Sequence, residues 1–226
     1  MKGRLIVLEG LDGSGKATQA QKLARELELA DKQVCKISFP DYSDDSGGPV
    51  RMYLNREFGD DVNIVNPYAA SVFFTVNRYA SFQLRWKADY LAGKVMVADR
   101  YATSNAVHQM CKLKQSDWDE FLDWLCDFEY TKFELPKPDL VIYLDVDPAL
   151  SAKLLDKRYA GKKLQDLHEG NIFYLKECRK AAFYAAKRLG WVVVKCYDQG
   201  HLFSMEEIAK QINQLVFEFL EDKRGG

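Results

Sequence analysis

The sequence predicts an α/β fold in which a five-stranded parallel sheet carries helices on both faces. Three observations predict it. Five apolar runs, each three to five residues long, recur along the chain. Between them lie stretches where Leu, Ala, Phe and Tyr return at three- and four-residue steps, the period of a helix that buries one face. A glycine-rich turn joins the first run to the first helical stretch. Strands alternating with helices need crossover connections, which make the sheet parallel and the crossovers right-handed. Ligands of such sheets bind at the carboxyl ends of the strands.

Leu5-Ile6-Val7-Leu8 reads as the first strand, apolar throughout because a parallel strand is covered on both faces. A helix at 17–29 follows, then the strand Val34-Cys35-Lys36-Ile37 and an irregular stretch at 40–50 rich in Asp, Ser, Gly and Pro. A long helix at 67–92 leads to the strand Val95-Met96-Val97-Ala98, and a helix at 117–128 precedes Leu140-Val141-Ile142-Tyr143-Leu144. A helix at 149–156, a basic stretch at 157–168 and a helix at 170–188 come next, and in the basic stretch Lys157, Arg158, Lys162 and Lys163 surround Gly161. Val192-Val193-Val194 is the fifth strand and a helix at 205–221 closes the pattern, leaving Lys223 to Gly226 as a frayed tail. Both irregular stretches have the composition of mobile loops over a site.

With 226 residues and 47% hydrophobic content, the chain is expected to form one domain around one core. The 32 Lys and Arg against 33 Asp and Glu provide no surplus of cations for a nucleic-acid backbone, so acidic ligands must meet local clusters. The five cysteines (Cys35, Cys111, Cys126, Cys178, Cys196) form no metal-binding spacing and read as buried thiols of a reducing compartment. No apolar stretch approaches the roughly 20 residues of a membrane span or the core of a signal peptide, so the expected location is the cytoplasm.

Gly10-Leu11-Asp12-Gly13-Ser14-Gly15-Lys16-Ala17-Thr18 lies between the first strand and a helix, the context of a phosphate-binding loop. Glycines let the backbone wrap a phosphate, successive N–H groups and the helix dipole bind it, and Lys16 reaches the β/γ bridge. The usual pattern has Ser or Thr as a Mg ligand where this chain has Ala17, with Thr18 one step later. Either Mg2+ leans on a carboxylate, with Asp12 and Asp99 as candidates, or the protein binds nucleotide without turnover. Asp99-Arg100-Tyr101 ends the third strand, so an arginine suited to bidentate phosphate contact is carried to the same crevice. An Asp–Arg pair that merely closes a strand end is the alternative.

Together with Phe39-Pro40-Asp41-Tyr42, Phe74, Asn77-Arg78 and Ser104-Asn105, these motifs resemble thymidylate kinases from about residue 4 to residue 188. The resemblance implies a P-loop NTPase fold with a mobile lid at 157–168, Mg2+ and ATP as phosphoryl donor system, dTMP as acceptor, and a homodimer. It implies that Gly10 to Thr18 bind ATP, that Phe74 stacks on thymine, that Arg78 and Asn105 hydrogen-bond the base edge, and that Arg100 and Tyr42 hold the 5′-phosphate. Phe39 and Ser104 complete the acceptor site, His108 stands near the sugar, and Asp12 near the 3′-hydroxyl of the acceptor sugar and the metal. Lys16, Asp12, Arg100 and a lid cation, Arg158 first among them, are the implied catalytic residues. Phe74 and Arg78 are four apart and share a helix face, which suits a stacking surface beside a cation. Ordinary core packing is the other reading of Phe74. A related deoxynucleoside kinase, with Glu9 as a conceivable base, is the alternative enzyme.

Overall fold

The computed structural model describes residues 2–43, 45–159 and 172–222, with the side chains of residue 153 and residues 155–159 left aside. Among them, strands β1 (Arg4–Gly10), β2 (Val34–Ser38), β3 (Val95–Asp99), β4 (Leu140–Asp145) and β5 (Val192–Lys195) form one parallel sheet in the order β2-β3-β1-β4-β5. β1 is central, pairing Leu8 with Asp99 of β3 and Gly10 with Leu144 of β4. A central strand buried on both faces must be apolar on both, and Leu5 to Leu8 are fully buried.

The pleat sends alternate residues to two cores. Leu5, Val7, Met96, Ala98 and Tyr143 pack on one face with α5 (Thr103–His108), α6 (Trp118–Cys126) and α8 (Ile172–Leu189). Ile6, Leu8, Val97, Ile142 and Leu144 pack on the other with α1 (Lys16–Leu29) and α9 (Met205–Asp222). Each such Leu, Ile or Val contributes roughly 1.5–3 kcal/mol relative to exposure.

The long helix expected at 67–92 is α3 (Pro67–Ser81), one π-helical turn at Phe82–Trp86 and α4 (Lys87–Leu91). Asn66 caps it by accepting from Ala69 N–H, and Pro67 stands in its first turn, where a missing N–H costs nothing. The segment at 117–128 is α6 extended by a π-helical stretch, Asp127–Lys132. Part of the stretch expected to be irregular at 40–50 is ordered as a 3-10 turn, Asp45–Gly47, opening α2 (Gly48–Leu54). The helix expected to stop at 156 continues as α7 (Pro148–Tyr159), so residues 157–159 of the expected lid are helical. The rest of that lid, with Gly161, Lys162 and Lys163, lies outside the described residues, as does the tail 223–226. A two-stranded hairpin, β6 (Tyr197–Asp198) and β7 (His201–Leu202), precedes α9. Of the cysteines, only Cys178 and Cys196 are buried; Cys35, Cys111 and Cys126 are partly exposed, a correction to the expectation that all five are interior.

Candidate active site

The turn after β1 is built to admit an anion. Gly13 and Gly15 have φ of 79° and 82°, a left-handed conformation that other residues adopt at a cost. A Cβ on Gly10 would stand 2.6 Å from Ser14 Oγ and 2.9 Å from the Leu144 carbonyl, so glycine there lets strand and loop close together. α1 opens at Gly15 without a side-chain cap or an acidic residue in its first turn, which leaves its first N–H groups and dipole end for a ligand. Lys16 is buried beside them, its Nζ donating to the Leu11 carbonyl at 2.8 Å and to Ser14 Oγ at 3.5 Å. Burial, with Arg100 nearby, pushes Lys16 down to about 8 against the opposing pull of Asp12, Glu9 and Asp99. A desolvated ammonium of this kind gains by meeting phosphate. Ala17 and Thr18 are both exposed at the helix start, and Ala17 offers no oxygen.

Arg100, just past β3, has φ of 66°. A non-glycine residue in that region costs roughly 1–2 kcal/mol and is held by its surroundings. Here its N–H donates to the Leu8 carbonyl at 3.1 Å. Its guanidinium bonds Asp12 through Nη2, and through Nη1 reaches Glu9 Oε1 at 3.4 Å, Ser104 Oγ at 3.3 Å and His108 Nε2 at 3.2 Å. Burial opposes this cation, yet Asp12, Glu9 and Asp99 outweigh it and hold its pKa above the usual guanidinium range. Because Arg only donates, His108 Nε2 accepts and the proton sits on Nδ1, which faces Cys178 Sγ at 3.6 Å. Glu9 is fully buried and accepts from Thr103 Oγ1 and Ser104 Oγ, each at 2.8 Å, and from Gly10 N–H at 2.9 Å.

Beside Arg100 a cavity of about 150 Å³ opens, lined by Asp12, Phe39, Tyr42, Phe74, Arg78, Ser104, Asn105, His108 and Gln109 among others. Phe39 meets Tyr101 edge-on at 5.7 Å, and Phe74 meets Tyr53 edge-on at 6.2 Å, so the aromatic walls are fixed by packing. Arg78 is buried against fully buried Glu129, with Nε 3.2 Å from Oε2 and Nη2 on Oε1, while Thr75 Oγ1 donates to Glu129 at 2.7 Å. These contacts use Nε and Nη2 and leave Nη1. Asn77 instead clamps the loop after β2, accepting from Asp41 N–H at 2.8 Å and donating to the Asp41 carbonyl at 2.7 Å.

Two side chains in this cavity are unsatisfied. Asn105 Nδ2 and both polar atoms of the Gln109 amide are buried without a partner among the described residues. Buried amides are almost always paired, and one left open toward a cavity points to a ligand.

The structure brings Asp12, Phe39, Tyr42, Phe74, Arg78, Arg100, Ser104, Asn105 and His108 to the lining of one cavity. Tyr42 stands half-exposed at its rim. Asp99 ends β3, partly buried, within the field of Lys16. The side chain of Arg158 lies outside the described residues. The sequence did not single out Gln109 or Glu129, and offered Glu9 only as a base. Gln109 follows Asn105 by four residues and so shares its face of a helical turn, a signal that could have found it. Glu129 sits in a π-helical stretch 51 residues from Arg78, and no local pattern pairs them.

A phosphate loop at the switch point of a parallel sheet, beside a cavity with unpaired amides, defines a P-loop nucleotide-binding protein with a second ligand site. The chain belongs to the thymidylate kinase family, whose family profile matches residues 8–204. It is 29% identical over 209 residues to the thymidylate kinase of Mycobacterium tuberculosis (strain H37Rv), covering 88% of this chain and 94% of that protein. With the human thymidylate kinase it shares 34% identity over 152 residues, 67% of this chain and 65% of that one. The solved thymidylate kinase of Candida albicans superposes with a TM-score of 0.66 over 99% of this chain and 93% of that chain at 24% identity, a likeness of fold.

Proposed function

We propose that the chain transfers the γ-phosphoryl group of ATP to the 5′-phosphate of dTMP, giving dTDP and ADP. One observation carries the reading. Arg100 bonds Asp12 of the phosphate loop while its other nitrogen lies on Ser104 and His108 in the cavity wall, so donor and acceptor phosphates would meet at a single guanidinium. Two anions repel, and catalysis of this reaction is mostly positioning and charge. Lys16, buried, and Arg100, partly buried, supply positive charge from two segments, and Arg158 is proposed to add a third. The acceptor is already an anion and needs no strong base.

Asp12 and Asp99 offer the hard oxygen donors that Mg2+ takes beside substrate phosphates. When bound there, the metal would neutralise charge on the β- and γ-phosphate oxygens. Gly10 to Thr18 are the proposed ATP contacts. In the cavity, Phe74 stacks the base, Arg100 and Tyr42 hold the 5′-phosphate, and His108 stands near the sugar. Arg78 Nη1, Asn105 and Gln109 supply donors and an acceptor to the edge of thymine, which itself offers carbonyls and one N–H.

The deoxynucleoside kinase reading offered Glu9 as a conceivable base. Glu9 is closed off from the cavity and its oxygens already accept four hydrogen bonds, from Gly10, Thr103, Ser104 and Arg100. It positions Arg100 instead. No described helix is long and apolar enough to cross a membrane, and we place the enzyme in the cytoplasm. Val76 and Tyr79 on α3 and Leu84 in the π turn are exposed by 41%, 40% and 77%, and we take this face to join two copies in a homodimer, a state that sedimentation would read.

Measuring kcat/KM for dTMP, dUMP, dCMP, dGMP and thymidine on one preparation tests the assignment. dTMP should be best, with dUMP about 10- to 200-fold poorer for want of one methyl group. dCMP should fare worse, because its amino group faces donors. The reading must be abandoned if dCMP, dGMP or thymidine outperforms dTMP, or if ADP release proves independent of acceptor.

A further inference from the structure

Cys111 and Cys178 place their sulfurs 3.4 Å apart. Among the described residues no other two cysteines stand within hydrogen-bond distance. Cys111 lies in the 3-10 turn Met110–Lys112 that follows α5 and is partly exposed; Cys178 lies on α8 and is fully buried. The pair is wired to the cavity. Cys111 donates to the His108 carbonyl at 3.4 Å, Tyr174 donates to the same carbonyl at 2.7 Å, and His108 Nδ1 faces Cys178 Sγ at 3.6 Å. His108 Nε2 in turn accepts from Arg100. The described residues hold no group of three His, Cys, Asp or Glu arranged for a metal, so the cluster is read as thiol chemistry.

We propose that Cys111 and Cys178 are a site of reversible oxidation, closing to a disulfide under peroxide and thereby loosening the acceptor cavity. The second half of this statement rests on the thymidylate reading; the first does not. The accessible thiol reacts first, as reactivity follows exposure. Cys111 sulfur attacks one peroxide oxygen, the O–O bond breaks, the thiol proton leaves with the departing hydroxide as water, and a sulfenic acid remains. Cys178 sulfur then attacks that sulfur, the S–O bond breaks, and the Cys178 proton joins the leaving hydroxide as a second water. Two thiols and one peroxide give one disulfide and two waters, the sulfurs losing the two electrons that the peroxide oxygens gain. Burial pushes the Cys178 thiol far up, so it stays protonated and leaves the first reaction with peroxide to the more accessible Cys111.

Closure has a geometric consequence. A disulfide holds its sulfurs about 2.05 Å apart, about 1.4 Å closer than here, so the turn after α5 and α8 must draw together. Cys178 ceases to be a thiol partner for His108 Nδ1–H, and the imidazole that steadies Arg100 loses its orientation. A dTMP KM raised roughly tenfold is expected, with ATP affinity little changed, since the phosphate loop is not part of the linkage.

The test exposes the full-length, reduced protein to hydrogen peroxide, blocks remaining thiols by alkylation, and maps linkages by mass spectrometry beside dTMP and ATP titrations. Expected are a Cys111–Cys178 link, a raised dTMP KM, and recovery of both on adding a dithiol. Cys178 is a core residue whose replacement can prevent folding, so Cys111→Ser carries the control: it should keep the reduced enzyme's KM and lose the peroxide response. Both thiols remaining alkylatable, a link between other cysteines, or a link that leaves dTMP KM unchanged overturns the proposal. Linkage mapping is independent of turnover, so an enzyme that forms the link but ignores dTMP would fault the substrate assignment and leave the modification site standing.

Discussion

Arg100 and Arg78 line one cavity and are held in different ways. Arg78 has one carboxylate partner, Glu129, and the two side chains are exposed by only 2% and 0%. Arg100 is shared among Asp12, Glu9, Ser104 and His108, and both it and Asp12 keep some exposure, at 15% and 22%. A sealed pair fixes a side chain at the cost of desolvating both charges. A shared and partly open one can exchange a carboxylate for an incoming phosphate without moving. On the proposed function, Arg78 would be a fixed reader of a neutral base and Arg100 a cation kept ready for an anion.

The largest effect expected from this contrast is kinetic. Arg100→Ala and Lys16→Ala should each lower kcat/KM by on the order of a thousandfold, because both place charge against the transferring phosphate. Either variant within about tenfold of wild type, while folded by circular dichroism, would show that its residue is misassigned, since tenfold is only about 1.4 kcal/mol.

Glu129→Ala tests the sealed pair. It strips buried Arg78 of its carboxylate and should cost about 3–5 kcal/mol of stability, which thermal melting would read as a drop on the order of 10 °C. The double variant Arg78→Met with Glu129→Leu should regain most of that loss and still use dTMP poorly. A Glu129→Ala protein that melts like wild type would dissolve the contrast.

Gln109→Met sharpens the comparison from the uncharged side. Replacing an unsatisfied buried amide by an apolar chain should leave stability equal or raise it by about 1 kcal/mol, while lowering kcat/KM for dTMP about 10- to 100-fold. Loss of stability with activity retained would mean that the amide serves the fold.

Lys16 gives a pH signature. Its pKa is lowered to about 8, and bound phosphate favours the charged form and raises it. The sign is therefore proton uptake on binding: below pH 8 the ammonium is already charged, and above it each binding event must protonate it. ATP affinity should weaken about tenfold between pH 7 and pH 9, with calorimetry in two buffers showing the uptake. Lys16→Ala should abolish both the uptake and this slope.

The smallest effect is expected at Ala17. Ala17→Ser adds an oxygen ligand at an exposed position and should leave kcat within about twofold or lower the Mg2+ needed. A large loss in a folded protein would show that the loop excludes a hydroxyl there.

What the sequence alone determined follows from local rules. The apolar runs of β1, β3 and β4 were legible because burial on both sheet faces leaves little room for polar residues, while the edge strands β2 and β5 keep exposed positions such as Lys36 and Lys195; the phosphate loop was legible because Gly10 to Lys16 act through their own backbone and one adjacent side chain. Helix ends were less legible: α7 runs to Tyr159 where basic composition suggested a loop, and α2 and α5, with seven and six residues, are too short for a periodic signal. The tertiary structure alone decided the electrostatics of the cavity. Glu129 reaches Arg78 across 51 positions, Glu9 reaches Arg100 across 91, and Cys178 meets Cys111 across 67, because the chain passes repeatedly over the carboxyl edge of one sheet. No periodicity encodes such pairs. The value of a buried charge depends on which segments close over it, and burial is a property of the packed molecule.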